Sequence, residues 1–229
     1  FKTELKTRDQ KALSEILKIG TSAGGVRPKA VIAFNKKTRE VRSGQTIAPK
    51  DFEHWLIKLD GVSNAQFGSS HGYGRIEYAY SLMARDCNIQ MTECELLEEN
   101  GRAHFMTKRF DREQNNIKHH VQTLCGIQHF DYNNLYGYSY EQLFQTMRML
   151  KLTYPETEQM YRRMVFNVLA TNCDDHTKNF SFRLKQNGKW ELSPAYDICY
   201  SYDPNNRWVS QHALSINSKH KEITKTDLL

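Results

Sequence analysis

The chain has 229 residues, 39% of them hydrophobic, 25% charged and 11% aromatic, and its 32 Lys and Arg against 26 Asp and Glu give a formal charge of +6. Its 12 Tyr, 11 Phe and 3 Trp supply bulky core material, which excludes whole-chain disorder, and no apolar run approaches the ~20 residues of a membrane span. No charged–apolar–small leader opens it, so a soluble, cytoplasmic protein with no membrane contact is expected. Five cysteines without a C-x-x-C pair speak against a disulfide scaffold or zinc ribbon and for a reducing compartment. The basic residues are scattered, with no run of five. Their excess therefore fits a mixed solvated surface or the handling of nucleotide phosphates as well as it fits nucleic acid. The chain starts at Phe1 rather than Met and stops at Leu228-Leu229, so residues are expected to be missing upstream, and the C-terminal part reads as incomplete.

The first hundred residues read mostly as strands. Lys29 to Asn35 is a β-branched and aromatic run, with Arg39 to Arg42 as its neighbour, and His54 to Leu59 (HWLIKL) is another strand. Ile76, Ala79, Tyr80, Met83 and Ala84 follow the spacing of one helical face, which predicts a helix over 76–85. Cys94 to Leu97 and His104 to Phe110 flank Asn100-Gly101, a pair that tolerates positive φ and so predicts a hairpin. Tyr140 to Leu152 carries Leu143, Phe144, Met147 and Leu150 on one helical face. Thr153 and Glu156 are spaced as a capping box, with Pro155 in the first turn of a second helix. That helix presents Met160, Tyr161, Met164, Val165, Val168 and Leu169 and ends near Asn172. A second hairpin follows, Phe180 to Lys185 and Lys189 to Leu192 around Asn187-Gly188. The expected architecture is α+β, with a β-rich lobe over 1–110 and a mainly helical lobe over 111–229. A crevice between lobes is a common ligand site.

The densest polar cluster, Asn172-Cys173-Asp174-Asp175-His176-Thr177-Lys178-Asn179, ends an apolar helix. Three readings compete: metal ligands of a hydrolase (Asp174, Asp175, His176), a polar loop of Asx turns, or a phosphoryl-transfer loop. In kinases the catalytic Asp lies five residues before an Mg2+-holding Asn, and Asp174 and Asn179 have that separation. Lys178 could then contact the transferring phosphate, and Asp197, at the exit of the second hairpin, stands where a kinase has its second metal ligand. Such a reading needs a phosphate loop, and Gly20-Thr21-Ser22-Ala23-Gly24-Gly25 is a candidate, although it is neither G-x-G-x-x-G nor a Walker A and fits a plain turn as well. It needs a strand lysine, for which Lys58 serves; taken alone, Lys58 reads as a snorkelling edge residue. Glu77 is the nearest helix acid to pair with it, or an ordinary acid at a helix N-terminus. Met106 to Phe110 stands where a joining strand offers backbone groups to adenine. His176 braces the loop in this reading. The stretch Phe130 to Tyr140 reads as a packed tyrosine-rich loop or as a substrate platform.

Six segments occur in the order seen in HipA-like kinases: Gly20 to Lys29, HWLIKL, Thr107 to Arg112, Asn172 to Asn179, Ser193 to Ile198 and Leu214 to Asn217. The chain from about Gly20 to Lys219 thus resembles these serine/threonine kinase toxins of bacterial type II toxin–antitoxin systems. The resemblance implies a two-lobed, protein-kinase-like fold using ATP and Mg2+, with Asp174 as base and Asn179 and Asp197 as metal ligands. Lys58 and Gly20 to Gly25 would hold the phosphates, Lys108 and Phe110 would meet adenine through their backbones, and His176 would lie at the nucleotide. Thr21, with Ser22 beside it, aligns with the family's inactivating autophosphorylation site. Implied partners are a HipB-like helix-turn-helix antitoxin, through which DNA is met only indirectly, and an aminoacyl-tRNA synthetase as substrate. Only about twenty residues precede Gly20, which resembles the short HipT branch, where a separate small HipS-like protein acts as antitoxin. Ser218 stands where the family usually has Gly after Leu-Ser-Ile-Asn. The rival expectation is an inactive kinase-like module of a DNA-bound repressor complex.

Overall fold

The structure, a computed structural model, describes residues 28–45, 47–63, 66–67, 69–113 and 117–229. The described chain forms two compact units. One contains the residues up to Ala79 together with Thr92–Lys118; the other contains Tyr80–Met91 and His119–Leu229.

In the first unit, β1 (Lys29–Phe34), β2 (Val41–Ser43), β3 (Glu53–Lys58), a minor pair β4 (Val62–Ser63) and β5 (Gln66–Phe67), β6 (Cys94–Glu99) and β7 (Arg102–Lys108) follow in sequence. The main sheet has the order β2-β1-β3-β7-β6, and every pair is antiparallel. Alternation along β1 and β3 sends Ala30, Ile32, Phe34, Trp55 and Ile57 into a core shared with Leu97 and Met106. The register, Ile32 opposite Trp55 and Ile57 opposite Met106, therefore puts Lys58 on the other face, paired with Lys29 and Phe105. The β6–β7 turn has Asn100 at φ 44° and Gly101 at φ 76°, the positive pair that the sequence predicts.

Helix α1 (Tyr73–Asp86) gives its first half to this unit. Its existence matches expectation, but its buried side does not. Ile76 and Met83 are exposed, whereas Gly74, Glu77, Ser81 and Ala84 are buried. The reason is close approach: a Cβ on Gly74 would lie 2.0 Å from the Ala103 carbonyl oxygen. The stripe facing inward thus carries an acid rather than a large apolar side chain.

The second unit runs β8 (His120–Thr123), α2 (Leu124–Gln128), β9 (Tyr138–Ser139), α3 (Tyr140–Met149), α4 (Tyr154–Leu169), β10 (Ser181–Leu184), β11 (Trp190–Leu192), β12 (Leu214–Ser215) and α5 (Lys225–Leu228). The order β11-β10-β8 makes an antiparallel sheet, and β9 pairs with β12 in parallel. Both long helices start as the sequence predicts. Ser139 and Gln142 cap α3 reciprocally, and at α4 Thr153 donates its N–H (2.8 Å) and hydroxyl (2.7 Å) to Glu156, with Pro155 in the first turn. Leu143, Met147, Met160, Met164, Phe180, Phe182 and Leu214 share one core. On α4 the apolar face differs from expectation: Tyr161 and Leu169 are exposed, while Arg163 and Asn167 are buried. Arg163 donates to the Ser193 carbonyl (2.7 Å), and burial pulls its guanidinium down to about 10. The cysteines are all free thiols.

Candidate active site

Two sets of polar residues stand out, one in each unit. In the first, the Lys58 ammonium meets the Glu77 carboxylate at 2.5 Å, with only 10% and 2% of their side chains exposed. The ammonium also sits 5.9 Å from the centroid of the Phe105 ring. Removing two charges from water is costly, so such a pair is held only where geometry over-determines it. Strand alternation supplies the lysine and the Gly74 contact brings the helix close enough to supply the acid.

At the end of β7, the Lys108 N–H is committed to the Glu93 carbonyl (2.9 Å) and its ammonium to Glu53, so only its carbonyl could accept from a base. Arg109 N–H donates to the His54 carbonyl at 2.9 Å. The Arg109 side chain grips Asp111 through two bonds of 2.8 and 2.6 Å, and Arg112 adds a third. Burial pushes the Asp111 carboxyl up, but these two guanidinium groups outweigh it and hold the acid below its ordinary range. Arg109, Arg112, Lys118 and His54, with Val31, Gly44, Gln45 and Ile47, line a cleft of about 510 Å³. The sequence reading did not assemble this basic cleft; its only signal was Arg-x-x-Arg beside the adenine candidates. The loop Gly20, Thr21, Ser22, Ala23, Gly24 and Gly25 lies outside the described residues, and with it the expected autophosphorylation positions.

In the second unit the polar loop leaves α4 through Thr171, which has φ 54°. The Asp174 side chain is 41% exposed, with Oδ1 3.4 Å from His176 Nε2. The imidazole Nδ1 accepts from the Lys178 N–H (3.3 Å), which places the ring proton on Nε2, toward Asp174. Asn179 donates its side-chain amide to the Asp174 carbonyl (2.7 Å) and its backbone N–H to the His176 carbonyl (2.9 Å). Its Oδ1 is then the side-chain atom left for a cation. The Lys178 ammonium lies 3.6 Å from the centroid of Tyr132, whose ring stacks on Trp208 and meets His176 edge-on.

Asp197 has φ 54°, a left-handed conformation that a short polar side chain tolerates, and it lines one crevice with Asn179, Asn172, Asn167 and Arg163. The preceding Tyr196 donates its hydroxyl to the Lys178 carbonyl (2.8 Å), which ties this turn to the loop. Asn179 and Asp197 are two hard-oxygen donors on rigid turns. That set suits Mg2+, which takes one or two protein oxygens and completes its shell with water and phosphate. The hydrolase alternative fares worse. Asp175 is fully buried and faces away from Asp174 and His176, toward Tyr140 and His212. Among the described residues no three His, Cys, Asp or Glu side chains gather as a metal cage. Burial, with the charges of Asp175 and Asp174, pushes the Cys173 thiol up to about 12, so it is no nucleophile.

The model of the HipA-like C-terminal domain matches residues 21–228. The chain belongs to the HipA-like family. This HipA-like chain is 22% identical over 218 residues to the serine/threonine-protein kinase toxin HipA of Shewanella oneidensis, covering 86% of itself and 47% of the toxin. A putative kinase of Haemophilus influenzae is 30% identical over 102 residues, 41% of this chain and 30% of that protein. Among solved structures, the HipA of S. oneidensis MR-1, in its complex with HipB and operator DNA, superposes with a TM-score of 0.70 at 20% identity. That match covers 90% of this chain and 50% of the other. The HipA-like chain therefore has the mixed, kinase-like α+β fold, and it spans about half the length of the HipA toxin it matches. No helix among the described residues is long and apolar enough to cross a membrane.

Proposed function

We propose that the chain is the catalytic part of an ATP- and Mg2+-dependent serine/threonine kinase toxin. The observation that carries this reading is the buried Lys58–Glu77 pair, because a strand lysine locked to a helix acid is the pairing that kinases need to hold the α- and β-phosphates. The family membership and the disposition of Asp174, Asn179 and Asp197 support it.

In the proposed step, Asp174 accepts the proton of a serine hydroxyl as the serine oxygen forms its bond to the γ-phosphorus. The bond from that phosphorus to the bridging oxygen breaks, and ADP leaves with the bond's electron pair. Mg2+, when bound, would neutralise charge on the phosphate oxygens, and Asn179 and Asp197 are the residues to hold it. Lys58, and Gly20 to Gly25, would position phosphates, with Lys178 contacting the transferring group and His176 bracing the loop. The Lys108 carbonyl and Phe110 N–H would meet adenine.

The remaining elements of the proposal are family traits: Thr21 or Ser22 as the self-silencing position, an aminoacyl-tRNA synthetase as target, a HipB-like antitoxin or a HipS-like protein as partner, and a bacterial cytoplasm as the setting. The test is intact-mass spectrometry of wild type and Asp174→Gln after incubation with ATP and Mg2+. Phosphate added to the wild type alone is the expected result. Equal gain by both would sink Asp174 as base. No gain by either, with unmodified mass at time zero, would favour an inactive kinase-like module.

A further inference from the structure

The geometry points to Asp175, through Tyr140 and Asn167, as a buried positioning group for the catalytic loop. This inference rests on the kinase reading for its catalytic consequence but not for its structural one.

Asp175 is 0% exposed, although its neighbours Asp174 and His176 face outward. Its Oδ2 accepts from the Tyr140 hydroxyl (2.8 Å) and from His212 Nδ1 (3.1 Å), and its Oδ1 accepts from the Ala213 N–H (2.7 Å). The chain of bonds continues. Asn167 donates to the Tyr140 hydroxyl (2.9 Å), and Asn172 donates to Asn167 both through its side chain (2.9 Å) and through its backbone N–H (2.9 Å). Asn172 begins the loop and Asp175 is its fourth residue, so one side-chain relay pins two points of the loop to α3, α4 and the bend at Ala213 that leads into β12.

A buried carboxylate is an expensive way to gain stability. None of its three donors is a Lys or Arg, and apolar residues of similar volume stabilise an interior more cheaply. What a fully satisfied polar network supplies is a single conformation. Here the conformation fixed is that of the peptide unit leaving Asp174, whose carbonyl is held from the other side by Asn179. With the chain held at Asn172 and again at the peptide following Asp174, the range of directions in which Asp174 presents its carboxylate is narrowed. Catalysis is sensitive to that placement, since a base displaced by a fraction of a hydrogen-bond length loses its proton-transfer geometry. Burial and the Asp175 charge push the Tyr140 phenol well above its ordinary value, so it remains a donor at any working pH.

The test compares the full chain as wild type, Asp175→Asn and Tyr140→Phe. Steady-state ADP release from Mg·ATP gives kcat and KM, and amide hydrogen exchange is read on the peptide covering 172–179. We expect Asp175→Asn to lower kcat at least tenfold with KM for ATP within twofold. Exchange in the loop should rise at least tenfold while α3 and α4 keep their protection. Tyr140→Phe, which removes one donor and leaves the carboxylate, should move both readouts in the same direction by about threefold. Unchanged kcat with unchanged loop exchange overturns the inference. So does a parallel loss of ATP binding and protection across the unit, because that is what a purely structural role would give. If Asp175→Asn does not fold, Tyr140→Phe decides by the same criteria. A wild type of unmodified mass that releases no ADP removes the kinase reading, and loop exchange alone then decides the positioning role.

Discussion

Asn179 donates its side-chain amide to the backbone carbonyl of Asp174 across 2.7 Å, so the residue proposed to hold the metal also fixes the residue proposed as base. Two substitutions separate these duties. Asn179→Asp keeps an oxygen ligand and adds charge but cannot donate to the carbonyl. It should retain Mg·ATP binding within a few fold and lower transfer on the order of tenfold. Asn179→Ala removes both and should lower transfer on the order of 100-fold or more. Calorimetric Mg·ATP titration beside radiolabelled transfer checks the pair; undiminished transfer by Asn179→Asp would mean the clamp contributes nothing, and identical losses in both variants would mean the oxygen ligand adds nothing to it.

The Lys58–Glu77 pair makes a prediction about stability as well as activity. Glu77→Gln or Lys58→Met removes this buried ion pair while leaving one of its charges in place, at a cost of about 3–5 kcal/mol in urea unfolding. The double variant Lys58→Met/Glu77→Leu should recover most of that loss and still transfer no phosphate. A double variant as unstable as the singles would show that the cost lies in packing rather than in the remaining charge.

Two glycines should behave in opposite ways. At Gly101 a Cβ meets nothing within 4 Å, but φ is 76°, so Gly101→Ala should cost about 1 kcal/mol of backbone strain and leave ATP turnover unchanged. At Gly74 the added Cβ would collide with the Ala103 carbonyl, pushing α1 and hence Glu77 away from Lys58. Gly74→Ala should abolish turnover. Melting curves and ADP release on both variants test the contrast.

Glu99 governs part of the acid sensitivity. Burial pushes its carboxyl up, but hydrogen bonds from His104 and Arg102, with the Arg102 charge, outweigh burial and take it from 4.5 down to about 2. His104 Nδ1 accepts from the Asp60 N–H, so its proton lies on the nitrogen facing Glu99. Because the folded value is depressed, this stabilisation is present above pH 4.5 and is lost as pH falls toward 2. Its size is about 3 kcal/mol at 1.36 kcal/mol per unit. Urea unfolding across that window should show a steeper fall for wild type than for Glu99→Gln; parallel curves would refute the assignment.

Local signals made much of the fold legible. Asn100-Gly101 and Asn187-Gly188 marked both hairpins, Thr153 and Glu156 marked the start of α4, and HWLIKL marked the strand that carries Lys58, whereas the face Lys58 takes came only with the register. The spacing of Asp174, Asn179 and Asp197 was legible because each sits next to a recognisable turn. The buried side of α1 was not. Periodicity chose Ile76 and Met83, whereas a contact with β7 at Gly74 and the lysine on β3 selected Glu77. The relay from Asn172 to Asp175 was equally hidden, since Tyr140, Asn167 and His212 come from separate segments and nothing local ties them together. The cleft of Arg109, Arg112 and Lys118 is likewise a product of tertiary folding.

The register of β3 has a consequence for how this chain can vary. Its central strand interleaves two incompatible surfaces, one built on Trp55 and Ile57 and the other carrying Lys58. Adding or deleting one residue between Trp55 and Lys58 would turn every later side chain of the strand over, so that the ammonium enters the core and an apolar residue faces Glu77. Changes in length there should therefore be far more damaging than changes in identity, and a scan of single-codon insertions through β3 would find a sharp zone of intolerance at these positions.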